Sequence, residues 1–139
     1  MGEEVFEAIR KRVAEEPYAK KMGLKLVEVG EGYALVEMKF TEDMENVFGM
    51  AHGGAIFSLI DEAFEVASNS HGTVSVALSM SVTYVSSPKK GEVLLAEGKE
   101  VSRSNRVATY SIQVKTNGGD LIAICQALVY RKRDPLPFL

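Results

Sequence analysis

The sequence predicts an α+β domain in which one antiparallel β-sheet wraps around a long central α-helix. Three observations carry this reading. Residues 53 to 70 contain no proline and are apolar around most of a helical circumference, the mark of a helix buried on nearly all sides. Residues 74 to 84 set Val74, Val76, Leu78, Met80, Val82 and Tyr84 in strict alternation with small or polar residues, the period of a strand. Three more strand-like runs follow, and the last two are joined by Asn117-Gly118-Gly119-Asp120, a hairpin turn. A helix with so little polar surface has to be covered, and the strands on either side of it in sequence supply the cover.

Each element has a local cause. Val5, Phe6, Ile9 and Val13 recur at helical spacing among charges, which predicts an amphipathic helix over 3–14 that ends before Pro17. Residues 1–16 are then a helical extension of a single domain spanning 1–139. Leu24 to Val29 and Tyr33 to Phe40 flank Gly30-Glu31-Gly32 and read as a hairpin. Residues 41 to 51 form a polar, glycine-containing loop of the kind that often carries function. Within the buried helix, 100° steps place Gly54, Ser58, Asp61, Glu65 and Ser68 on one narrow stripe, the only consistently small or polar one, and Gly72 closes the helix. The strand over 74–84 has one apolar and one small polar face and is ended by Pro88 and Gly91. Strands over 92–102, 106–116 and 121–131 complete the sheet.

Composition narrows the function. At 139 residues, 46% apolar and 25% charged, the chain suits one domain with a sizeable core and excludes a disordered, collagen-like or disulfide-stapled class. A net charge of −3 gives no global attraction to nucleic acid or an anionic membrane, and Arg131-Lys132-Arg133 is too short to change that. Cys125 alone forms no internal disulfide and reads as a core residue. Two histidines are too few for a metal cage, so no metal is expected. No apolar run approaches the roughly 18–20 residues of a membrane span, and the charged N-terminus lacks a secretory apolar stretch, so the expected compartment is the cytoplasm.

The chemistry points to the buried helix. A carboxylate inside an apolar helix is costly unless it is solvated or partnered, so Asp61 demands a reason. The helix opens with Ala51-His52-Gly53-Gly54, where glycines let a ligand reach the unpaired N–H groups of the first turn, a ready oxyanion site, and Asn46 and Gly49 precede it. Gly53 and Asp61 are eight residues apart, about 12 Å along a helix, too far to grip one carbonyl together. Two chains packed with antiparallel helices about a two-fold axis bring the first turn of one opposite Asp61 of the other, which predicts an obligate homodimer with two composite sites.

The run Asn46-Val-Phe-Gly49-Met-Ala-His52-Gly53-Gly54-x6-Asp61 resembles the signature of hotdog-fold acyl-CoA thioesterases of the PaaI-like, phenylacetate-pathway branch. Asn69-Ser70-His71-Gly72 and Val82-Thr83-Tyr84 also look like family positions, and the resemblance runs from about Tyr18 to Arg131. It implies hydrolysis of an acyl-CoA thioester, either aryl-acyl such as phenylacetyl or hydroxyphenylacetyl or medium-chain, by dimers that pair into a homotetramer. No cofactor is needed, because coenzyme A belongs to the substrate. Carried over, Asp61 is the catalytic carboxylate, as general base or nucleophile, and the Gly53 N–H polarises the thioester carbonyl. Asn46 holds water or thioester, and His52 orients the loop or steadies the sulfur. A serine on the following strand assists: gapless counting from Val82-Thr83-Tyr84 lands on Ala77, and Ser79, on the same face as Ser75 in an unbroken alternation, is the candidate. Gly54 and Glu65, one turn past Asp61, contact substrate. Lys89, Lys90 and Arg106 are either solvated charges or contacts to the coenzyme A phosphates. His71 reads as a helix-capping or surface residue. Two other classes stay open: a non-catalytic acyl-CoA binding or sensing module, and a dehydratase with His52 as base.

Overall fold

The computed structural model describes residues 2–139; Met1, the first residue of the predicted 1–16 extension, lies outside them. The chain runs α1 (Gly2–Glu15), α2 (Pro17–Met22), β1 (Lys25–Gly30), β2 (Tyr33–Lys39), a 3-10 turn (Glu42–Met44), α3 (Gly53–Asn69), β3 (Thr73–Tyr84), β4 (Val93–Arg103), β5 (Val107–Thr116) and β6 (Leu121–Pro135). The six strands form one antiparallel sheet in the order β1-β2-β4-β5-β6-β3, and α3 lies along its inner face. No described helix is long and apolar enough to cross a membrane. The second helix went unpredicted because Pro17 ends α1 and also starts α2, where its missing N–H costs nothing, before Gly23 at φ 70 turns the chain into β1.

The alternating residues seat the helix. On β5, Ala108, Tyr110, Ile112 and Val114 are buried, as are Val36 and Met38 on β2 and Leu94 and Ala96 on β4. Against them α3 packs Leu59, Ile60, Ala63, Phe64 and Ala67, with the Phe64 and Tyr110 rings edge to face at 5.8 Å. The helix comes close at Gly98 of β4. A Cβ there would stand 3.3 Å from the Ala63 carbonyl oxygen, so a glycine in mid-strand sets the depth at which α3 beds into the sheet.

Two expectations are corrected. The alternation over 74–84 predicts a buried apolar face, yet Val76 is 39% and Leu78 55% exposed. β3 is the outermost strand, paired only with β6, and it carries a bulge: Ala77 faces Val129, Ser79 faces Leu128, and Leu78 has no opposite number. The phase reverses there, so Ser75 and Ala77 share the inner face with Met80 and Val82, and not with Ser79. His71, expected at the surface, is folded inward with only 8% of its side chain exposed. The Gly32 N–H bonds Ser70 Oγ at 2.7 Å, tying the β1–β2 turn to the end of α3 and closing over His71. The imidazole donates to Glu100 at 2.8 Å, and Tyr110 donates to the same oxygen at 2.8 Å. Burial alone raises the Glu100 carboxyl, but those two bonds and Arg103 outweigh it and hold the group below its ordinary range.

Replacing Gly98 by valine should destabilise the fold by about 1–3 kcal/mol, because the new side chain meets the Ala63 backbone, which cannot swing aside, as well as Ile112. Urea unfolding of Gly98→Val beside wild type measures this, and equal midpoints would contradict the packing argument.

Candidate active site

The loop before α3 is held by its own side chains. Asn46 Oδ1 accepts from the N–H groups of Phe48 (2.9 Å) and Met50 (3.1 Å), and Gly49 takes φ 75 to complete the turn. This leaves only the Asn46 amide nitrogen for a ligand. The turn presents Val47 and Phe48 almost bare, 93% and 81% exposed. His52 is the helix N-cap: its backbone is extended and its Nδ1 accepts the Gly54 N–H at 2.8 Å. With that lone pair engaged, Nε2 carries the proton of the neutral ring, which leaves His52 no free basic nitrogen for the dehydratase role. Gly54 is likewise committed. The Gly53 N–H has no acceptor among the described residues, while Tyr84 Oη donates to the Gly53 carbonyl at 3.1 Å. A cleft of about 380 Å³ opens here between Gly53, Met50, Tyr84 and Ser86.

Eight residues further along α3 the polar stripe becomes acidic. The elbow between α1 and α2 lies over it, with Tyr18 Oη 2.6 Å from Ser58 Oγ and Glu16 at the N-cap of α2. Carboxylate oxygens of Glu16, Glu62 and Glu65 fall within 4.8 Å of one another, a grouping with metal-ligand spacing. None of the three, nor Asp61, has an ion-pair partner among the described residues. Burial first, then Glu16, pushes the Asp61 carboxyl up. Burial and the two neighbouring acids push Glu62 to about 10. Glu65 rises to about 7, again through burial and then Glu16. Glu62 is 3% exposed and its Oε2 has no partner among the described residues, so burial favours its protonated form.

The chain thus gathers Asn46, His52, Gly53 and Gly54 at one end of α3 and places Asp61 and Glu65 at its middle. Ser79 shares a face with Leu128, away from α3. Lys89 and Lys90 lie at the loop end, where Lys90 pairs with Glu45 at 3.4 Å. Arg106 does not join them: it precedes the ten residues of β5, about 30 Å of strand away, beside Arg131, Lys132 and Arg133. Sequence reasoning missed Glu16, Tyr18 and Glu62. Only Glu16 carried a signal, standing before Pro17 at a helix start, whereas Glu62 looks like one more charge on a helix.

The model of the thioesterase superfamily matches residues 48–123. A relative from Archaeoglobus fulgidus is 44% identical over 113 residues, covering 81% of this chain and 73% of the relative. The acyl-coenzyme A thioesterase PaaI of Escherichia coli is 29% identical over 113 residues, 81% of each chain. The solved structure of the E. coli PaaI protein from the phenylacetic acid degradation operon superposes with a TM-score of 0.91 at 25% identity, covering 96% of this chain and 97% of that one. The expected hotdog arrangement, a sheet wrapped around α3, is the fold of this chain.

The acid cluster has a consequence for stability. A carboxyl whose folded pKa lies above its unfolded value destabilises the fold as pH rises through the unfolded value, here from about 4.5 towards about 10 for Glu62. Glu62→Gln removes the ionisation, so its melting temperature should gain on wild type between pH 5 and pH 9. An equal offset at both pH values would contradict the assignment.

Proposed function

Because the chain belongs to the thioesterase superfamily, we propose that it hydrolyses an acyl-CoA thioester to free acid and coenzyme A, with Asp61 as the reacting carboxylate. The observation that supports this is a donor with no acceptor among the described residues, the Gly53 N–H, on the same helix as an acid with no counter-ion among them, Asp61. The thioester carbonyl takes the Gly53 N–H, which stabilises the oxyanion as it forms. Asp61 either removes a proton from water as the water attacks, or attacks the carbonyl itself to give a mixed anhydride that water then opens. In both routes the C–S bond breaks, the thiolate leaves and takes up a proton, and the acid is released. A carboxyl held above its ordinary range is a better base than a surface aspartate. Asn46 offers its amide nitrogen to water or thioester, and His52 fixes the turn. Lys89 and Lys90 flank the cleft mouth where phosphates arrive. No further cofactor takes part.

The acyl group is aryl-acyl or medium-chain, a reading supported by the likeness to E. coli PaaI. The site is completed by a second copy of the chain. β3 has an unpaired outer edge bearing Val76 and Leu78, and the Asn46 turn carries Val47 and Phe48 in water. Such an edge and such a tip are ordinarily covered. Edge-to-edge pairing of β3 about a two-fold axis covers them and sets each Gly53 turn opposite the other chain's Asp61, and such dimers pair into tetramers. The compartment is the cytoplasm, in keeping with the single free Cys125.

Thiol release from phenylacetyl-CoA and medium-chain acyl-CoAs tests the reading. Asp61→Asn should lose at least about a hundredfold in turnover and still bind the thioester. Gly53→Pro removes the N–H at a position where proline suits a helix start, and should cost about 10²–10³ in kcat with the fold intact. Tight binding by wild type without thiol release would replace the hydrolase with a sensing module.

A further inference from the structure

Gly53 and Gly54 are joined by one peptide group at the opening of α3, and a side chain takes each of its polar ends. Its carbonyl, on Gly53, accepts from Tyr84 Oη at 3.1 Å. Its N–H, on Gly54, donates to His52 Nδ1 at 2.8 Å. A peptide between two glycines has no Cβ on either side to limit rotation about its flanking bonds, so it is the easiest in the turn to tilt. Bonds at opposite ends of the group resist that tilt together, and each polarises the group and strengthens the other. The Gly53 N–H, the donor of the proposed reaction, belongs to the preceding peptide of the same turn, so its aim follows the set of this one.

Tyr84 reaches Gly53 for reasons that lie in β3 and β6. The bulge at Leu78 reverses the phase of β3 and puts Tyr84 on the side of Met80 and Val82, towards α3. The chain is pinned to β6 around it: Tyr84 pairs with Ala123, the Val85 and Ser86 N–H groups both donate to the Ile122 carbonyl, at 2.8 and 3.2 Å, and Ser86 Oγ donates to the Leu121 carbonyl at 2.6 Å. The ring end lies against the first turn, since a Cβ on Gly53 would stand 3.4 Å from Tyr84 Cζ and Oη. Tyr84 is half exposed and walls the cleft, yet its hydroxyl is bonded to the backbone.

We propose that Tyr84 is a positioning residue: with His52 it clamps the Gly53–Gly54 peptide and so keeps the Gly53 N–H aimed where the thioester oxygen gains charge. This rests on the thioesterase reading of Gly53 and Asp61. The hydroxyl touches no reacting atom. Its contribution is to spare the turn any reorganisation as the oxyanion forms, which is what a fixed donor supplies to a transition state. In the sequence Tyr84 is only the last apolar residue of an alternating strand, and its role depends on a bulge and a helix start that the fold brings together.

Tyr84→Phe tests this, because it removes the hydroxyl and keeps the ring that walls the cleft. With phenylacetyl- and hexanoyl-CoA as substrates, kcat should fall roughly fivefold, the worth of one net hydrogen bond, and KM should stay within about twofold. Amide hydrogen exchange at Gly54 should quicken at least about fivefold, while Leu59 and Ile60, in the buried middle of α3, exchange as in wild type. A residue that only stabilises the fold would speed all three amides and leave the kcat of the folded enzyme unchanged. Unchanged exchange at Gly54, or faster exchange there with unchanged kcat, would overturn the proposal. A fivefold or greater rise in KM with kcat retained would make the hydroxyl a contact to the ligand and overturn it as well. If wild type releases no thiol, the hydrolase reading fails by itself, and exchange at Gly54 still decides whether Tyr84 and His52 hold the peptide.

Discussion

The structure depends on the division of α3 into two unlike sides. One side is pressed into the sheet until the Ala63 carbonyl nearly touches the space where Gly98 lacks a side chain. The other carries Gly54, Ser58, Asp61 and Glu65 and meets no basic residue within ion-pair distance among the described residues. A helix pinned this tightly cannot rotate to solvate its acids. Burial and their crowding under the α1–α2 elbow instead push the carboxyls up and favour their protonated forms, Glu62 above all. The same constraint that builds the core therefore holds a carboxylate in a state suited to proton transfer.

The same rigidity underlies the proposal that the site is completed by a second chain. A rigid helix keeps its N-terminal donor and its mid-helix acid about 12 Å apart, and no side-chain motion closes that gap. The surfaces able to close it, the bare edge of β3 and the apolar Asn46 turn, are those the monomer leaves uncovered. In the proposed function, catalysis and assembly rest on this one separation.

Much of this was legible in the residues. The apolar circumference of 53–70 marks α3 within a residue, and the glycine turns mark the β1–β2 and β5–β6 hairpins, because local pattern and tertiary burial agree there. Asp61 stands out because a carboxylate interrupts an apolar run. What stayed hidden is tertiary. The bulge at Leu78 leaves the written alternation unbroken, since an extra residue in register is invisible until β6 is alongside. His71 looked like a surface residue because Glu100, its partner, and Tyr110, which bonds the same carboxylate oxygen, come from distant strands. Glu16 and Glu62 are forty-six positions apart, and nothing in either neighbourhood announces that they meet.

The central claim, that each site is built from two chains, is tested most directly by subunit mixing. Asp61→Asn and Gly53→Pro are each purified, unfolded together and refolded as a mixture. Half of the dimers are then mixed, and each holds one site with both an intact Asp61 and an intact Gly53 N–H, so thiol release should return to about a quarter of the wild-type value. If the mixture is no more active than its inactive parents while wild type refolded in the same way regains activity, the site lies within a single chain and the account is contradicted.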